Sequence, residues 1–428
     1  MGRFRILHSV SAADARTSGG TDEEPAHDAD PGLADGGPLA RLGRRLPYGL
    51  ADAVWLWLLL RVGLTLIAAF VVLGGQADAP CPADAHLAWL PGSGAAFPLL
   101  GVWHHWDACW YTTIASAGYG TATGTGATTF FPFLPLVAGA IAVVRGNLPL
   151  AFAAVNAIAL ILALTGLQQL VARDVDRETA RRSALYVVVF PAAFFLIAPF
   201  TEAIFLASVV WAFVGARSRR WEIAIVAGIV AGLTRPLGIV LMLPLAWEVA
   251  MMVRDRWQDG GPRFRRGDVV AAIAVVAPGI AYAAFVAWTA LAVGESYFAS
   301  NAGWGGHHLV LPWDRIAQGV AYGLDHGRPA QLVNAAAWVL FAALTIAGIR
   351  RLPVSYTLFV IPQLVLALTQ ETVFPLMSTS RYLLALFPCF VVLAIAGRSR
   401  RFDTSWLVLS TLLLAFLTIE FVEGVMVG

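Results

Sequence analysis

Long apolar runs separated by short polar segments make up most of this chain from about residue 50 onward. Such runs predict α-helices that cross a membrane, because a spanning helix needs about 20 mostly apolar residues. The predicted crossings are 51–73, 149–171, 183–199, 203–216, 221–234, 236–252, 268–293, 332–349, 353–370, 382–397 and 404–423. Several are short for a crossing, and the boundaries between 183 and 252 are the least defined. The pattern predicts an all-α polytopic membrane protein with about 11 transmembrane helices.

The arginines are distributed unevenly between the two ends of these predicted helices. All 29 basic residues are arginines, and with a cytoplasmic N-terminus 23 of them fall in cytoplasmic segments. Arg61 lies within the first crossing, and the external ones are Arg145, Arg235, Arg315, Arg328 and Arg381. This asymmetry follows the positive-inside rule. If the apolar run 131–144 were a crossing, the arginine cluster that follows it would lie on the external side, against this rule. We therefore interpret the run as a juxtamembrane or re-entrant segment on the external face.

The remaining segments define the domain organisation. Residues 1–48 are rich in Gly, Ala, Asp and Pro and lack the apolar core of a signal peptide, which predicts a disordered cytoplasmic tail. Residues 49–428 form the predicted transmembrane domain, in which 74–148 is a first large external loop with juxtamembrane helices and 294–331 a second. The chain shows no convincing internal repeat, which weighs against an inverted-repeat transporter.

Composition narrows the class of protein further. With 58% hydrophobic and 13% charged residues, the chain is too apolar for a soluble protein of this length, and a net charge of +2 does not indicate a nucleic-acid partner. Cys81 and Cys109 fall in the first external loop and could form a disulfide in an oxidising compartment or remain free or buried thiols. Their spacing does not decide between these alternatives. Cys389 lies in an apolar run and is predicted to be a core residue.

Polar residues that interrupt the apolar pattern gather on the predicted external side. Asp107 stands among aromatic residues after the first crossing, Glu202 follows the third, and Arg235 follows the fifth. Because polar groups near membrane depth are costly and usually functional, this set is a candidate active site facing one cavity. The candidate catalytic residues are Asp107 and Glu202, and the candidate donor- or substrate-binding residues are Trp106, His105, Tyr111, Arg235, Glu371, Arg381 and Tyr382.

One kind of reaction suits carboxylates and arginines on that side. The external face of a membrane lacks nucleotide sugars, so an activated lipid such as a sugar on a polyprenyl phosphate must supply the energy. Its phosphate leaves as an anion without a protonating acid, so one carboxylate base is enough, whereas glycoside hydrolysis uses two carboxylates. Arginine can hold the phosphate with two hydrogen bonds and stabilise its growing charge.

Each candidate also has a structural interpretation that the sequence leaves open. Asp107 could cap a helix, Glu202 could pair with an arginine for stability alone, and Arg381 could be an interfacial anchor. Arg61 is predicted to face the bundle interior, with a partner that the sequence does not identify.

Histidines and tryptophans in the predicted loops give weaker signals. The pairs His104-His105 and His307-His308 lack the spacing of a metal site, so neither a metal nor a cofactor is predicted. Trp304 and Trp313 fit an interfacial aromatic belt better than a platform for stacking sugars.

The order and spacing of these motifs resemble the PIG-V family of GT-C mannosyltransferases. The motifs are Trp106-Asp107 through Gly118-Tyr119, Phe130-Phe131-Pro132 with Pro135, Pro191 through Thr201-Glu202 with Phe205, Thr234-Arg235-Pro236 with Gly238, and Ser380-Arg381-Tyr382 with Phe387-Pro388. The resemblance implies a GT-C-type bundle and an inverting, metal-independent transfer of mannose from polyprenyl-phosphate mannose. It implies Asp107 as the general base, Glu202 as an acid that orients donor or acceptor, and Arg235 and Arg381 at the donor phosphate.

The expected partners are a polyprenyl-phosphate mannose donor, a glycolipid or cell-envelope glycan acceptor, and the lipid bilayer. Two alternatives remain at this stage. The same fold could use another lipid-linked sugar, such as glucose or arabinose. A lipid-linked glycan transporter or flippase would need polar residues along a path through the bilayer, whereas here only Arg61 lies deep. A nucleotide-sugar enzyme is disfavoured, because no soluble segment is long enough for a dinucleotide-binding fold.

Overall fold

The computed structural model describes residues 47–77, 81, 96–120, 126–262, 264–303, 310–369 and 374–427. The described elements are helices, and no described residue lies in a β-strand. The α-helices are α1 (Leu50–Leu73), α2 (Ala96–Leu99), α3 (Asp107–Ala117), α4 (Phe133–Arg145), α5 (Leu148–Asp174), α6 (Arg177–Val188), α7 (Glu202–Arg217), α8 (Trp221–Thr234), α9 (Met242–Gln258), α10 (Arg266–Trp288), α11 (Tyr297–Gly303), α12 (Pro312–Asp325), α13 (Pro329–Gly348), α14 (Val354–Thr369), α15 (Thr379–Leu383), α16 (Phe387–Ala396) and α17 (Arg400–Val422).

Six helical segments in the described part of the chain are long and apolar enough to cross a membrane. They are Leu50–Leu73, Leu148–Asp174, Pro236–Gln258, Arg266–Val293, Pro329–Gly348 and Arg400–Val422. The shorter apolar helices are α4, α8, α14 and α16. The predicted class, an all-α polytopic membrane protein, is therefore confirmed. The predicted tail, 1–48, lies almost wholly outside the described residues.

Two predicted crossings are divided in the structure. The run 183–199 is not one helix, because α6 ends at Val188 and a short 3₁₀ turn follows at Ala193–Leu196. Pro191 lies between them and cannot donate a backbone hydrogen bond to continue α6. The run 382–397 is likewise split between α15 and α16, where Pro388 stands in the first turn of α16. Apolar character alone does not reveal such breaks.

The run 131–144, interpreted from the arginine pattern as a non-crossing segment, forms the single helix α4. Its 13 residues give a length of about 20 Å, which is less than the roughly 30 Å of a bilayer's hydrocarbon layer. It packs against α3 and α5. The interpretation of this run as a juxtamembrane or re-entrant segment stays a prediction.

Helix α7 lies at the centre of the bundle and is buried along most of its length. It packs between α5 and α8, and α8 packs in turn on α10. Small residues allow these close approaches. A Cβ atom on Gly232 of α8 would collide with the carbonyl oxygen of Pro278 in α10. Such small-residue contacts are common between helices in membranes, where close backbone packing replaces the hydrophobic effect.

The bundle has two ends, named here after the first and last residues of α7. At the Arg217 end, Arg181 of α6 pairs with Asp52 of α1 at 3.0 Å. Arg256 of α9 pairs with Asp268 of α10 at 2.7 Å at the same end. The arginine clusters predicted to be cytoplasmic lie here where the structure describes them. The candidate residues Asp107, Arg235 and Arg381 lie with Glu202 at the other end.

Candidate active site

Asp107 is the first residue of α3, at the Glu202 end of the bundle. A carboxylate in the first turn of a helix is stabilised by the helix dipole. The preceding Trp106 has φ of 50° and ψ of −113°, a conformation that L-residues rarely adopt. Its ring packs on Phe421 of α17, with centroids 5.1 Å apart. Such backbone strain costs about 1–3 kcal/mol and persists where the surroundings impose it, most often at functional sites.

The chain leading into α3 is fixed by a covalent bond and by a buried histidine. Of the two alternatives for the first-loop cysteines, the structure shows a disulfide between Cys81 and Cys109. His104 lies in the same segment, where its Nδ1 is 3.1 Å from the hydroxyl of Thr112 in α3. Burial, reinforced by the charge of His105, lowers the pKa of His104 to about 3. His104 is therefore a neutral core residue that supports the start of α3.

Glu202 is the first residue of α7, and its side chain is only 1% exposed. The turn before it is held in place by α5, since the side-chain amide of Asn156 donates to the carbonyl oxygen of Ala198. Its Oε1 atom accepts a hydrogen bond from Nη2 of Arg235. Its Oε2 atom is buried and has no hydrogen-bond partner among the described residues. A buried carboxylate oxygen without a partner is costly and calls for a functional explanation.

Arg235 follows the last residue of α8 and has an extended backbone, with φ of −155° and ψ of 151°. The next residue, Pro236, imposes this conformation, because a proline disfavours helical geometry in the residue before it. The guanidinium of Arg235 reaches Glu202 and donates through Nε to the hydroxyl of Thr201 at 2.7 Å. A Cβ atom on Gly238 would collide with the carbonyl oxygen of Ala231. The motif therefore needs both Pro236 and Gly238 to place this arginine.

Arg381 connects the two carboxylates. It lies in the short helix α15, which follows Ser378 with a positive φ of 64°. Its Nη1 atom donates to Oδ2 of Asp107 at 2.7 Å. Its Nε atom lies 2.9 Å from Oε1 of Glu202, an ion pair without hydrogen-bond alignment. We call Asp107, Glu202, Arg235 and Arg381 the cavity cluster; its formal charges sum to zero.

Tyr382 holds the two arginines of the cavity cluster in one place. Its ring centroid is 5.2 Å from the guanidinium carbon of Arg235 and 5.3 Å from that of Arg381. Phe200 adds a second ring 5.3 Å from Arg381. Contacts between guanidinium groups and aromatic faces are favourable, particularly where water is excluded. They offset the repulsion between two like charges and keep both arginines directed at the same space.

A cavity of about 450 Å³ opens beside the cavity cluster. Asp107, Arg235, Arg381, Tyr111 and Tyr382 line one side of it. This volume is in the range of small-molecule sites, which typically combine apolar walls with a few convergent polar groups. Burial, with a smaller contribution from the charge of Asp107, raises the pKa of the Tyr111 hydroxyl. Tyr111 therefore stays protonated and can donate a hydrogen bond next to the Asp107 carboxylate, one helical turn away.

Another part of the cavity lining, called here the aromatic wall, is largely aromatic. Its residues are Thr129, Phe130, Phe131, Tyr282, Tyr297, Phe298 and Asn301. A polar network ties α11 to the turn before Phe130. Glu295 accepts one hydrogen bond from the Gly126 backbone N–H and one from the Ser300 hydroxyl, each 2.7 Å long. The Ser300 hydroxyl in turn lies 2.6 Å from the Thr128 hydroxyl. An aromatic wall with hydroxyl and amide groups suits a ring that has one apolar face and hydroxyls at its edge.

The structure brings some sequence-predicted residues to the cavity and leaves others away from it. Asp107, Tyr111, Arg235, Arg381 and Tyr382 line the cavity, and Glu202 lies directly behind the two arginines.

The structure does not place His105 and Trp106 among the residues that line the cavity. Both rings instead pack on Phe421 of α17. Trp313 is largely exposed on α12. Glu371, Trp304 and the pair His307-His308 lie outside the described residues.

Sequence reasoning singled out Phe130 and Phe131 only as parts of a family motif, and it missed the other members of the aromatic wall and its polar network. Tyr282 stands inside an apolar helix, where an aromatic residue is ordinary, and Tyr297, Phe298 and Asn301 lie in a predicted loop with no motif of their own. Glu295 is the strongest signal that was passed over, because it is an isolated acid after a long apolar run. Like Asp107, Glu295 is an acid beside a predicted membrane edge, where a charged group is costly and usually functional.

The cavity cluster offers a definite set of chemical abilities. A carboxylate at a cavity wall can accept a proton from a bound hydroxyl group. Two arginines held side by side can bind an anion such as a phosphate and stabilise charge that develops on it. The described cavity therefore brings a carboxylate, two guanidinium groups and an aromatic wall to one space.

No protein-family model matches this chain, and no curated protein matches it. Among solved structures, the chain is similar to ArnT from Cupriavidus metallidurans bound to undecaprenyl phosphate, with a TM-score of 0.49 and 13% identity over 82% of this chain and 62% of that one. It is also similar to the Archaeoglobus fulgidus oligosaccharyltransferase in complex with Zn and sulfate, with a TM-score of 0.42 and 12% identity over 86% of this chain and 53% of that one. The apo form of the same protein gives a TM-score of 0.42 and 14% identity over 86% of this chain and 56% of that one. The chain thus spans less than two thirds of the length of these proteins. With every score below 0.5, the family resemblance remains an expectation from the motifs.

Proposed function

We propose that this protein is a membrane glycosyltransferase that transfers mannose from a polyprenyl-phosphate carrier to a glycolipid or cell-envelope glycan on the external face of the membrane. The observation that carries the proposal is the placement of the Asp107 carboxylate and two arginines on one wall of a 450 Å³ cavity at one end of an apolar helical bundle. The motif resemblance supports mannose as the sugar, with glucose and arabinose as alternatives.

The proposed reaction assigns a step to Asp107 and to the two arginines of the cavity cluster. Asp107 accepts the proton of the acceptor hydroxyl while that oxygen forms a bond to C1 of the donor sugar. The bond from C1 to the phosphate oxygen breaks, and its electron pair leaves with the phosphate. Arg235 and Arg381 stabilise the charge that grows on the leaving phosphate. Attack from the face opposite the phosphate inverts the configuration at C1.

Glu202 has a supporting part in this scheme. It is too deeply buried to meet the acceptor, and its Oε1 atom contacts both arginines. It therefore orients the two guanidiniums toward the cavity. Holding charged groups in place before the reaction begins is what makes electrostatic stabilisation effective in enzymes.

The disulfide supports an external active site. Cys109 lies in α3, two residues after Asp107, so the disulfide and the cavity share one end of the bundle. Disulfides form and persist in oxidising compartments and are rare in the cytosol. The arginine pattern gives the same orientation independently, because the arginine-rich segments lie at the Arg217 end.

The test of the reaction is Asp107→Asn, assayed in membranes supplied with lipid-linked mannose, glucose or arabinose. Loss of the base predicts a fall in transfer of about 10²–10⁴-fold with the preferred donor. The matched control is Asp268→Asn, which removes a carboxylate paired with arginine at the Arg217 end. Full transfer by Asp107→Asn would remove Asp107 as the base. Glycan movement across the membrane without any glycosyl product would favour a flippase.

A labelling experiment tests the orientation. Phe298 is 63% exposed beside the cavity and Arg400 is exposed at the Arg217 end. The only cysteine outside the disulfide, Cys389, is buried. A membrane-impermeant maleimide applied from outside is expected to label Phe298→Cys and not Arg400→Cys. The reverse result would place the cavity on the cytoplasmic side.

A further inference from the structure

The two arginines of the cavity cluster are already neutralised in this structure. Arg235 is paired with Glu202, and Arg381 is paired with both Glu202 and Asp107. A donor phosphate that enters the cavity therefore meets two guanidiniums whose charge is balanced by two carboxylates. To bind, it must displace one of these carboxylates or accept repulsion from both.

Asp107 is the carboxylate that can be displaced. Its side chain is 28% exposed and lines the cavity, whereas the Glu202 side chain is 1% exposed and is held by both arginines. The bond between Asp107 and Arg381 is a single hydrogen bond from Nη1 to Oδ2. A partly exposed, singly bonded ion pair is worth little compared with a buried and shared one.

Tyr382 and Phe200 favour an exchange of partners over a movement of the arginine. Their rings hold the Arg381 guanidinium at centroid distances of 5.3 Å, and Glu202 holds its Nε side. The Nη1 atom is the part directed at Asp107. A phosphate oxygen can take the place of Oδ2 at this nitrogen while the rest of Arg381 stays fixed.

We propose that Arg381 exchanges Asp107 for the donor phosphate, so that the base is freed only when the donor is bound. The inference rests on the proposed function. In the free protein Arg381 is a positioning residue that holds the Asp107 carboxylate out of use. In the donor complex the same nitrogen binds a phosphate oxygen, and the Asp107 oxygen becomes available to accept the proton of the acceptor hydroxyl. Donor binding and readiness of the base are thereby coupled through one hydrogen-bond donor.

The exchange makes an unusual prediction for a catalytic residue. Asp107→Asn removes the competing charge, so this inactive variant binds farnesyl phosphate more tightly than the wild type, by about three- to tenfold. The measurement is the affinity of detergent-purified full-length protein for farnesyl phosphate by isothermal titration calorimetry. Asp268→Asn is the matched control and is expected to bind like the wild type. Damage to the fold weakens binding, so a gain in affinity separates the exchange from a merely structural role.

The outcomes are distinguishable. If the wild type binds farnesyl phosphate and Asp107→Asn binds it equally or more weakly, the exchange is wrong while the proposed function stands. If the wild type does not bind farnesyl phosphate at all, the proposed function fails and the exchange fails with it. Should Asp107→Asn not fold, Asp107→Ser serves the same purpose, since its shorter neutral side chain also removes the competing charge. Inorganic phosphate, tested beside farnesyl phosphate, shows whether the phosphate group alone gives the gain.

Discussion

In the described part of the chain, a group of paired acids and arginines lies at each end of α7. The cavity cluster lies at the Glu202 end. The second group, called here the closed cluster, consists of Asp174, Arg217 and Glu248 with Ser355 and Tyr356 at the Arg217 end. Arg217 donates to Oδ1 of Asp174 at 3.0 Å, and Tyr356 donates to Oδ2 at 2.6 Å. Ser355 donates to Oε1 of Glu248 at 2.7 Å.

The two clusters differ in how completely their carboxylates are bonded. Both oxygens of Asp174 have partners, and the side chain is 3% exposed. Glu202 is buried to the same degree, but its Oε2 atom has no partner in the described part of the chain, and the two arginines that it contacts line a cavity. Burial of charge is therefore not by itself a sign of function. An open cavity lined by charged side chains distinguishes a site that can take a ligand from one that holds helices together.

The arginines give the largest expected contrast between the clusters. Arg381→Gln removes a guanidinium from the cavity cluster and is expected to lower kcat/KM by about 10²–10³-fold, because the leaving phosphate loses its stabilising charge. Arg217→Gln, its counterpart in the closed cluster, is expected to lower stability by about 1–3 kcal/mol and to leave the rate per folded molecule within about twofold of the wild type. Both are measured by sugar transfer and thermal unfolding in detergent. Equal losses of rate would abolish the distinction.

Alanine substitutions at two glycines, one near each cluster, test the same contrast between the clusters and are expected to have smaller effects on transfer. A Cβ atom on Gly238 would collide with the Ala231 carbonyl near the cavity cluster, and one on Gly215 would lie 2.7 Å from the backbone nitrogen of Ala224 near the other end of α7. Alanine at either position is expected to cost about 1–3 kcal/mol of stability. Only Gly238→Ala is expected to slow transfer, by about tenfold, because it displaces Arg235. A similar slowing by Gly215→Ala would show that the site responds to any loosening of the core.

The smallest effect is expected from a surface residue at the Arg217 end. Hydrogen bonds from the Thr179 backbone and hydroxyl, with a contribution from Arg398, lower the pKa of Asp176 below its usual 3.8. Its carboxylate therefore stabilises the fold above that pH, and the contribution is lost as the pH falls through the lowered value.

Asp176→Ala is accordingly expected to cost about 1 kcal/mol at neutral pH, as the loss of a helix cap does. The difference in thermal unfolding between variant and wild type should disappear in strong acid, where both states are protonated. Sugar transfer at neutral pH is expected to be unchanged. A difference that persists in acid would assign the effect to packing.

The sequence predicted the class of fold well, because apolar runs and arginine asymmetry both follow from the physics of the bilayer. It predicted helix continuity less well. The break between α6 and the turn at Ala193–Leu196 depends on Pro191 and on packing around it, which the apolar pattern does not report. In contrast, the motifs identified the charged members of the cavity cluster, because charged residues are rare in such an apolar chain and their positions are informative.

The sequence could not supply the other side of the cavity. Tyr282 and Tyr297 come from α10 and α11. They line the same cavity as Arg235 and Arg381 because α10 packs on α8 and on the turn after it, and because Tyr297 packs on Tyr282. Aromatic residues are common in membrane helices, so their role depends on tertiary contacts. His105 and Trp106 show the converse, because they are next to Asp107 in sequence but pack on Phe421 away from the cavity. Adjacency along the chain did not predict adjacency in the site.

The shortness of the central helices has a consequence for the lipid around this protein. Helices α7 and α8 have 16 and 14 residues, or about 24 and 21 Å, which is several ångströms less than the hydrocarbon layer of an ordinary bilayer. The more exposed helices α1 and α10 are longer, with 24 and 23 residues. Where α8 meets lipid, at exposed residues such as Val226 and Ile229, this hydrophobic mismatch is relieved by local thinning of the bilayer or by tilting, at a modest cost for each ångström. The acyl-chain length of the surrounding lipids is therefore expected to affect how easily the headgroup of a lipid-linked substrate reaches Arg235 and Arg381.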